Sequence, residues 1–316
     1  MKLLTQIPLT PQQHNQIDYT SKVLLLGSCF SENISKKFNY FKFQSTVNPF
    51  GILFQPLAIE SLITNAINEK VYTDEDVFFQ NEQWHCFEAH SQLSSASKVE
   101  LLDNLNVQIK CTHQHIKEAS HIIITLGTSW VYRAIETDTI VANCHKAPQR
   151  QFLKELISVE AITESLQAII TLVKSVNPKV SFLFTVSPVR HIKDGFVENM
   201  QSKAHLITAI HNVIEARHQN YYFPSYEILM DELRDYRFYT EDMIHPNQTA
   251  ISYIWGKFQK VWISETAFET MDEVEIIQKG LQHLPFNFAS EAHQKFLQKL
   301  ADKKAKLQTE FPHITF

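Results

Sequence analysis

The chain lacks most of the devices that mark a special class of protein. It has four cysteines in 316 residues, Cys29, Cys86, Cys111 and Cys144, scattered without the spacing of a disulfide framework. Few, dispersed thiols fit a reducing compartment, and the cytoplasm is the expected location. No stretch approaches the ~18 consecutive apolar residues of a membrane crossing, so no membrane partner is expected. The opening string Met1–Pro8 carries one charge and no apolar run of secretory length. Neither sign of charge dominates: 29 basic and 34 acidic residues are mixed along the chain, for a net −5. That balance gives no basis for nucleic acid as a partner. There are no internal repeats and no low-complexity tracts. Cys111-x-His113-x-His115 is the one string with a hint of metal chemistry. On a helix, 111 and 115 share a face but 113 does not, and no second ligand pair exists, so neither metal nor cofactor is expected.

What is present is a chain of ordinary apolar content, 44%, long enough for one large domain or a core with an appendage. Four short apolar runs, Val23–Leu26, His121–Leu126, Val180–Val186 and Tyr221–Phe223, lack polar alternation, as strands buried on both faces do. Phe41–Val47 is a less clean fifth. Helical spacing follows them: Phe30, Ile34 and Phe38; Leu156, Ile162, Leu166, Ile169 and Val173 within Phe152–Val173; Ala204, Ile207, Ile210 and Ile214; then Ala250, Ile254, Trp255, Phe258 and Trp262. Strands alternating with helices predict a parallel sheet covered on both sides, with ligands outside the carboxyl ends of its strands. Residues 57–120 read as a mostly polar, helical insertion within a main domain of residues 1–262. Residues 263–316 hold no strand pattern. Phe296, Leu297, Leu300 and Leu307 among lysines predict a terminal amphipathic helix, packed on the core or on another subunit.

Two strings carry the chemistry. After the first strand, Gly27 permits a sharp turn, and Ser28 and Cys29 open a helix. A thiol at a helix N-terminus faces unpaired amides, which predicts a lowered thiol pKa and an amide donor for an oxyanion. A cap serine beside a small buried cysteine fits the same string. Far downstream, Asp242 precedes His245 by three residues, just before Pro246. Proline favours the first helical position, so His245 is expected at a helix cap, with a neutral ring oriented by Asp242. Nucleophile, base and orienting carboxylate are the minimum for covalent acyl transfer.

The string Gly27-Ser28-Cys29-Phe30-Ser31 resembles the signature of the GSCFA family, with Ser31 in place of alanine. That family is grouped with the SGNH or GDSL-type hydrolases, whose last block Asp242-x-x-His245-Pro246 is similar to. The resemblance covers roughly residues 20–255. It implies a three-layer, flavodoxin-like α/β fold with a parallel sheet, here with the helical insertion and the C-terminal helical extension, and it implies O-ester hydrolysis. Laid without gaps on the family's Gly-Asp-Ser string, Cys29 takes the nucleophile position. A one-residue shift would give it to Ser28. The second block implies an oxyanion glycine, for which Gly51 lies in the right region, though Asn48-Pro49-Phe50-Gly51 also reads as a plain turn. The third block's asparagine is replaced by Ser129, and Asn143 is a substitute from further along the loop.

The fold would set Arg133, His145, Lys146, Arg190 and His191 on the same rim, where they are candidates for binding an anionic or sugar-like substrate. The expected substrate is a small-molecule or glycan acyl ester. An acyltransferase on the same site, a non-catalytic carbohydrate- or partner-binding module and a thiol sensor at Cys29 are the competing readings.

Overall fold

The computed structural model describes residues 5–316; the start of the Met1–Pro8 string lies outside them. The elements run β1 (Lys22–Gly27), α1 (Cys29–Tyr40), β2 (Gln44–Val47), α2 (Pro56–Ile67), β3 (Phe78–Gln80), β4 (Gln83–His85), α3 (Lys98–Glu118), β5 (His121–Leu126), β6 (Trp130–Ala134), β7 (Thr139–Val141), β8 (Phe152–Leu156), α4 (Val159–Val176), β9 (Ser181–Val186), α5 (Phe196–Val213), β10 (Asn220–Tyr222), α6 (Ser225–Glu227), α7 (Gln248–Trp262), α8 (Glu265–Gln282) and α9 (Glu291–Glu310).

The central sheet has the order β10-β9-β5-β1-β2, and every pairing in it is parallel. Counted along the chain this is the 2-1-3-4-5 order of a flavodoxin-like sheet. Side chains of a strand alternate between faces, and both faces here are buried. Leu24, Leu26, Ile122, Ile124, Phe182 and Phe184 enter one core, with α2, α3, α4 and α5. Val23, Leu25, Ile123 and Leu183 enter the other, with α1, α7, α8 and α9. Double burial explains why these runs carry no polar alternation. Among the described residues no helix is long and apolar enough to cross a membrane.

Several elements differ from expectation. Residues 57–120 lie between β2 and β5 and are less polar than they read: α2 and α3 supply buried Ile59, Leu62, Ile63, Leu105 and Ile109 to a main layer. The short β3–β4 hairpin forms a separate two-stranded antiparallel sheet. Phe152–Leu156 is a strand, not the start of the helix, because it pairs antiparallel with β6 in a small β7-β6-β8 sheet. That sheet has its own core of Ala134, Val141, Ala147 and Phe152. The buried stripe of α5 is Asn199, Ser202, Lys203, Leu206, Ala209, Ile210 and Val213. An asparagine, a serine and a lysine in that stripe shift its phase from the apolar reading.

Order in the sheet positions the site. The chain leaves β1 toward β2 and returns past β1 to β5, so the β1 and β5 exits part to opposite faces. Such a switch point opens a crevice at the carboxyl edge of the two strands.

Candidate functional site at the carboxyl edge of the sheet

Gly27 ends β1 with φ +131°, and a Cβ there would lie 2.1 Å from the Thr125 carbonyl oxygen of β5. Only glycine fits so close an approach of two backbones. Ser28 follows as the N-cap of α1; its buried hydroxyl accepts from the Phe30 amide at 3.2 Å. Cys29 is the first helical residue and is partly exposed. Its thiol pKa is raised, not lowered as the helix position predicted. Burial is the main cause and the Glu32 charge adds to it, outweighing the local amides and Lys203. The thiol is therefore held protonated.

At the neighbouring β2 exit, Asn48 takes a left-handed φ of +42° and points its side chain back under β1. Its Oδ1 accepts from the Gly27 amide at 2.9 Å, while its Nδ2 is buried with no partner among the described residues. An orphan donor next to the backbone of Gly27, and so close to the turn that carries Cys29, is the feature that sequence reading passed over. The only signal was Asn-Pro at a strand end, which reads as a turn. Gly51, the expected oxyanion glycine, spends its amide inside that turn, donating to the Asn48 carbonyl at 2.7 Å. Its φ is +73°, and a Cβ there would lie 2.4 Å from His90 Cβ, so turn geometry and crowding account for the glycine.

Beyond β5, Gly127 lets Phe54 and His191 close over the strand end: a Cβ there would meet Phe54 Cβ at 2.9 Å and His191 Nε2 at 3.1 Å. The Gly127 carbonyl accepts from the fully buried ammonium of Lys203 at 2.7 Å, and the Ser187 carbonyl after β9 accepts at 2.8 Å. Burial pulls Lys203 down to about 7, against smaller opposing effects of Cys29 and Glu227. His191 Nε2 is buried and without a partner among the described residues. Burial, then the charges of Lys203 and His245, drive His191 down to about 3, so it is neutral near pH 7.

Ser129, at the β5 exit, is not open to a ligand. It is fully buried, its amide donating to Ser202 Oγ and its hydroxyl to the Ser202 carbonyl, which locks the β5 exit to α5.

Asp242 and His245 meet on the loop before α7. His245 Nδ1 donates to Asp242 Oδ2 at 2.6 Å, and Asp242 Oδ1 accepts from Thr240 Oγ1, the Ile244 amide and the His245 amide. Those donors hold the carboxyl well below its usual range, so it stays ionised. The pairing leaves Nε2 as the acceptor face of the ring. His245 is not at the helix cap: Asn247 caps α7, its Oδ1 accepting from the Ala250 amide. Pro246 instead bridges to Tyr239. The loop is tied to the β9 exit, where the Arg190 amide donates to the Ile244 carbonyl at 3.4 Å and its guanidinium donates to the Met243 carbonyl. No hydrogen bond joins Cys29 or Ser28 to the His245 ring among the described residues.

The remaining candidates divide. Arg133 is consumed by Glu155, at 2.8 and 3.1 Å, and by Asp138. Arg190 is held by the His245 loop and lies over the Tyr236 and Tyr239 rings. His145 is buried, donates from Nε2 to the Cys86 carbonyl and is driven down to about 4, chiefly by burial, so it is no cation for a substrate. Asn143 Oδ1 accepts from the His145 amide and holds that loop. Asn143, Lys146 and His191 line a cleft of about 520 Å³ between the β5 exit and the small sheet. His113 and His115 are engaged with the Ala66 carbonyl and Thr46 Oγ1, and no cluster suited to a metal occurs among the described residues.

Comparison with known proteins gives the family. A search of curated proteins returned no match. A solved structure described as an acetyl esterase mutant with acetate ion is similar over 80% of this chain and 99% of that one, at 10% identity and a TM-score of 0.37. The profile of the GSCFA C-terminal domain matches residues 274–316, and that of the GSCFA family matches residues 22–258. With three quarters of its length under that match, the chain belongs to the GSCFA family.

Proposed function

We propose that the chain is an acyl hydrolase that cleaves O-esters through a covalent intermediate on Cys29. The observation that carries the reading is the Asp242–His245 pair at 2.6 Å on a loop fastened to the β9 exit, at the edge where α1 presents Cys29.

In this reading His245 Nε2 takes the thiol proton as Sγ attacks the ester carbonyl carbon. The Cys29 amide and Asn48 Nδ2 donate to the oxyanion that forms. The carbon–oxygen bond then breaks, and the imidazolium returns its proton to the departing alkoxide. Water, deprotonated by His245, attacks the thioester, and Sγ leaves with the proton restored. Asp242 keeps the ring in the required tautomer and offsets its transient charge. The thiol starts neutral because burial and Glu32 hold it so, which makes the base necessary. In sites of this type the contact between nucleophile and base often tightens only when substrate binds. Cys29 is preferred over Ser28 because the Ser28 hydroxyl is buried and committed to capping α1.

The test is trapping with p-nitrophenyl acetate followed by peptide mass spectrometry. Wild type should carry acetyl on the Cys29 peptide, and Cys29→Ala and His245→Ala should neither label nor turn over. Label on Ser28, or equal rates in all three proteins, would overturn the reading.

A further inference from the structure

The cleft beside the β5 exit contains a group that the hydrolytic machinery does not use. Gln55, the N-cap residue of α2, is 2% exposed and lines the cleft, yet both its Oε1 and its Nε2 lack a partner among the described residues. A buried amide with neither end satisfied is costly unless something else supplies an acceptor and a donor. His191, whose Nε2 likewise has no partner among the described residues, lines the same cleft. The cleft also has an aromatic wall, formed by Trp130, Tyr132 and Phe152.

The rim is cationic. Lys146, Lys154 and Lys193 line it against Asp194 as the single acid. Lys154 is paired with Asp194 and lies over the Trp130 ring at 4.9 Å. Lys146 and Lys193 are exposed and in no salt bridge among the described residues. Lys146 is presented by a strained turn: it and His145 are both left-handed, at φ +58° and +47°. The His145–Cys86 bond of 2.7 Å and the Asn143 side chain hold that turn in place.

We propose that this cleft holds an anionic sugar, the sugar portion of the ester substrate. The Gln55 amide spans two neighbouring hydroxyls, one donating to Oε1 and one accepting from Nε2, and His191 Nε2 meets a third. The apolar face of the ring lies on the aromatic wall, and Lys146 and Lys193 face a carboxylate or phosphate. The assignment to the substrate rests on the hydrolase reading above; the binding itself does not.

Calorimetric titration of the full-length Cys29→Ala protein separates the two, because binding without turnover is enough. The probes are glucuronate, glucose 6-phosphate and glucose. At least one charged sugar should bind about tenfold tighter than glucose, and which one does identifies the anion. Gln55→Leu, which fills a similar volume without orphan amide atoms, should weaken that sugar by about tenfold while the melting temperature holds or rises. Lys146→Gln with Lys193→Gln should erase most of the preference for charge. Equal binding of charged and neutral sugars, or a Gln55→Leu protein that binds as its parent does, would overturn the inference. Sugar binding with no acetyl trapped on Cys29 in wild type would leave this inference standing and remove the hydrolase reading. Trapping with no charged-sugar preference would do the reverse.

Discussion

Lys203 reaches across the end of the sheet to donate to the Gly127 carbonyl at 2.7 Å, and the same ammonium donates to the Ser187 carbonyl at 2.8 Å. It ties the β5 and β9 exits together, and among the described residues it has no carboxylate bonded to it. Burial brings its pKa from 10.5 to about 7. Between those values the unfolded chain binds more protons than the native one, so stability rises with pH across that window and loses this contribution below it. Lys203→Met should flatten the rise, a difference on the order of a few kcal/mol between pH 7 and pH 10. Denaturant midpoints of the two proteins across that range measure it; parallel curves would contradict the assignment.

Gly27→Ala should be severely destabilising. The added methyl meets the Thr125 carbonyl and the φ of +131° is closed to alanine. A loss of about 3 kcal/mol or more in chemical denaturation is expected, and a loss under about 1 kcal/mol would show that the β1 exit gives way easily.

Asn48 should split into two roles. Asn48→Asp retains an acceptor for the Gly27 amide and removes the Nδ2 donor. Its kcat on an activated ester should fall by about 10²–10³, the cost of one oxyanion donor. Asn48→Leu also strands the Gly27 amide and should lose about 1–3 kcal/mol of stability as well. Full activity in Asn48→Asp would remove Nδ2 from the oxyanion site.

Asp242→Asn should lower kcat by about 10⁴ through the wrong imidazole tautomer. The pair is exposed, so the melting temperature should barely move. A small kinetic effect with a large thermal one would mean that Asp242 mainly holds its loop, through the Thr240 and Ile244 donors.

The parts legible in the sequence were those written in local pattern. The runs in β1, β5 and β9 announced strands because both faces of each are buried. Phe30, Ile34 and Phe38 announced α1 because a helix brings every fourth residue to one face. The antiparallel β6–β8 sheet was hidden because β6 and β8 are only partly buried and give no apolar run. Lys203 was hidden because a lysine in a helix reads as solvated, and only packing under two carbonyls makes it a core residue.

The amino-acid order alone thus determined the layered α/β plan, the glycine turn after β1 and the residue types at 29, 242 and 245. Folding decided which polar atoms are spent and which are left over. Arg133 goes to Glu155, Ser129 to Ser202 and Gly51 to its own turn, while Asn48 Nδ2, Gln55 and His191 Nε2 have no hydrogen-bond partner among the described residues. The reason is range. Periodicity acts over a few residues, but the bonds that shape this edge join Gly27 to Asn48, Cys86 to His145 and Gly127 to Lys203, 21, 59 and 76 positions apart.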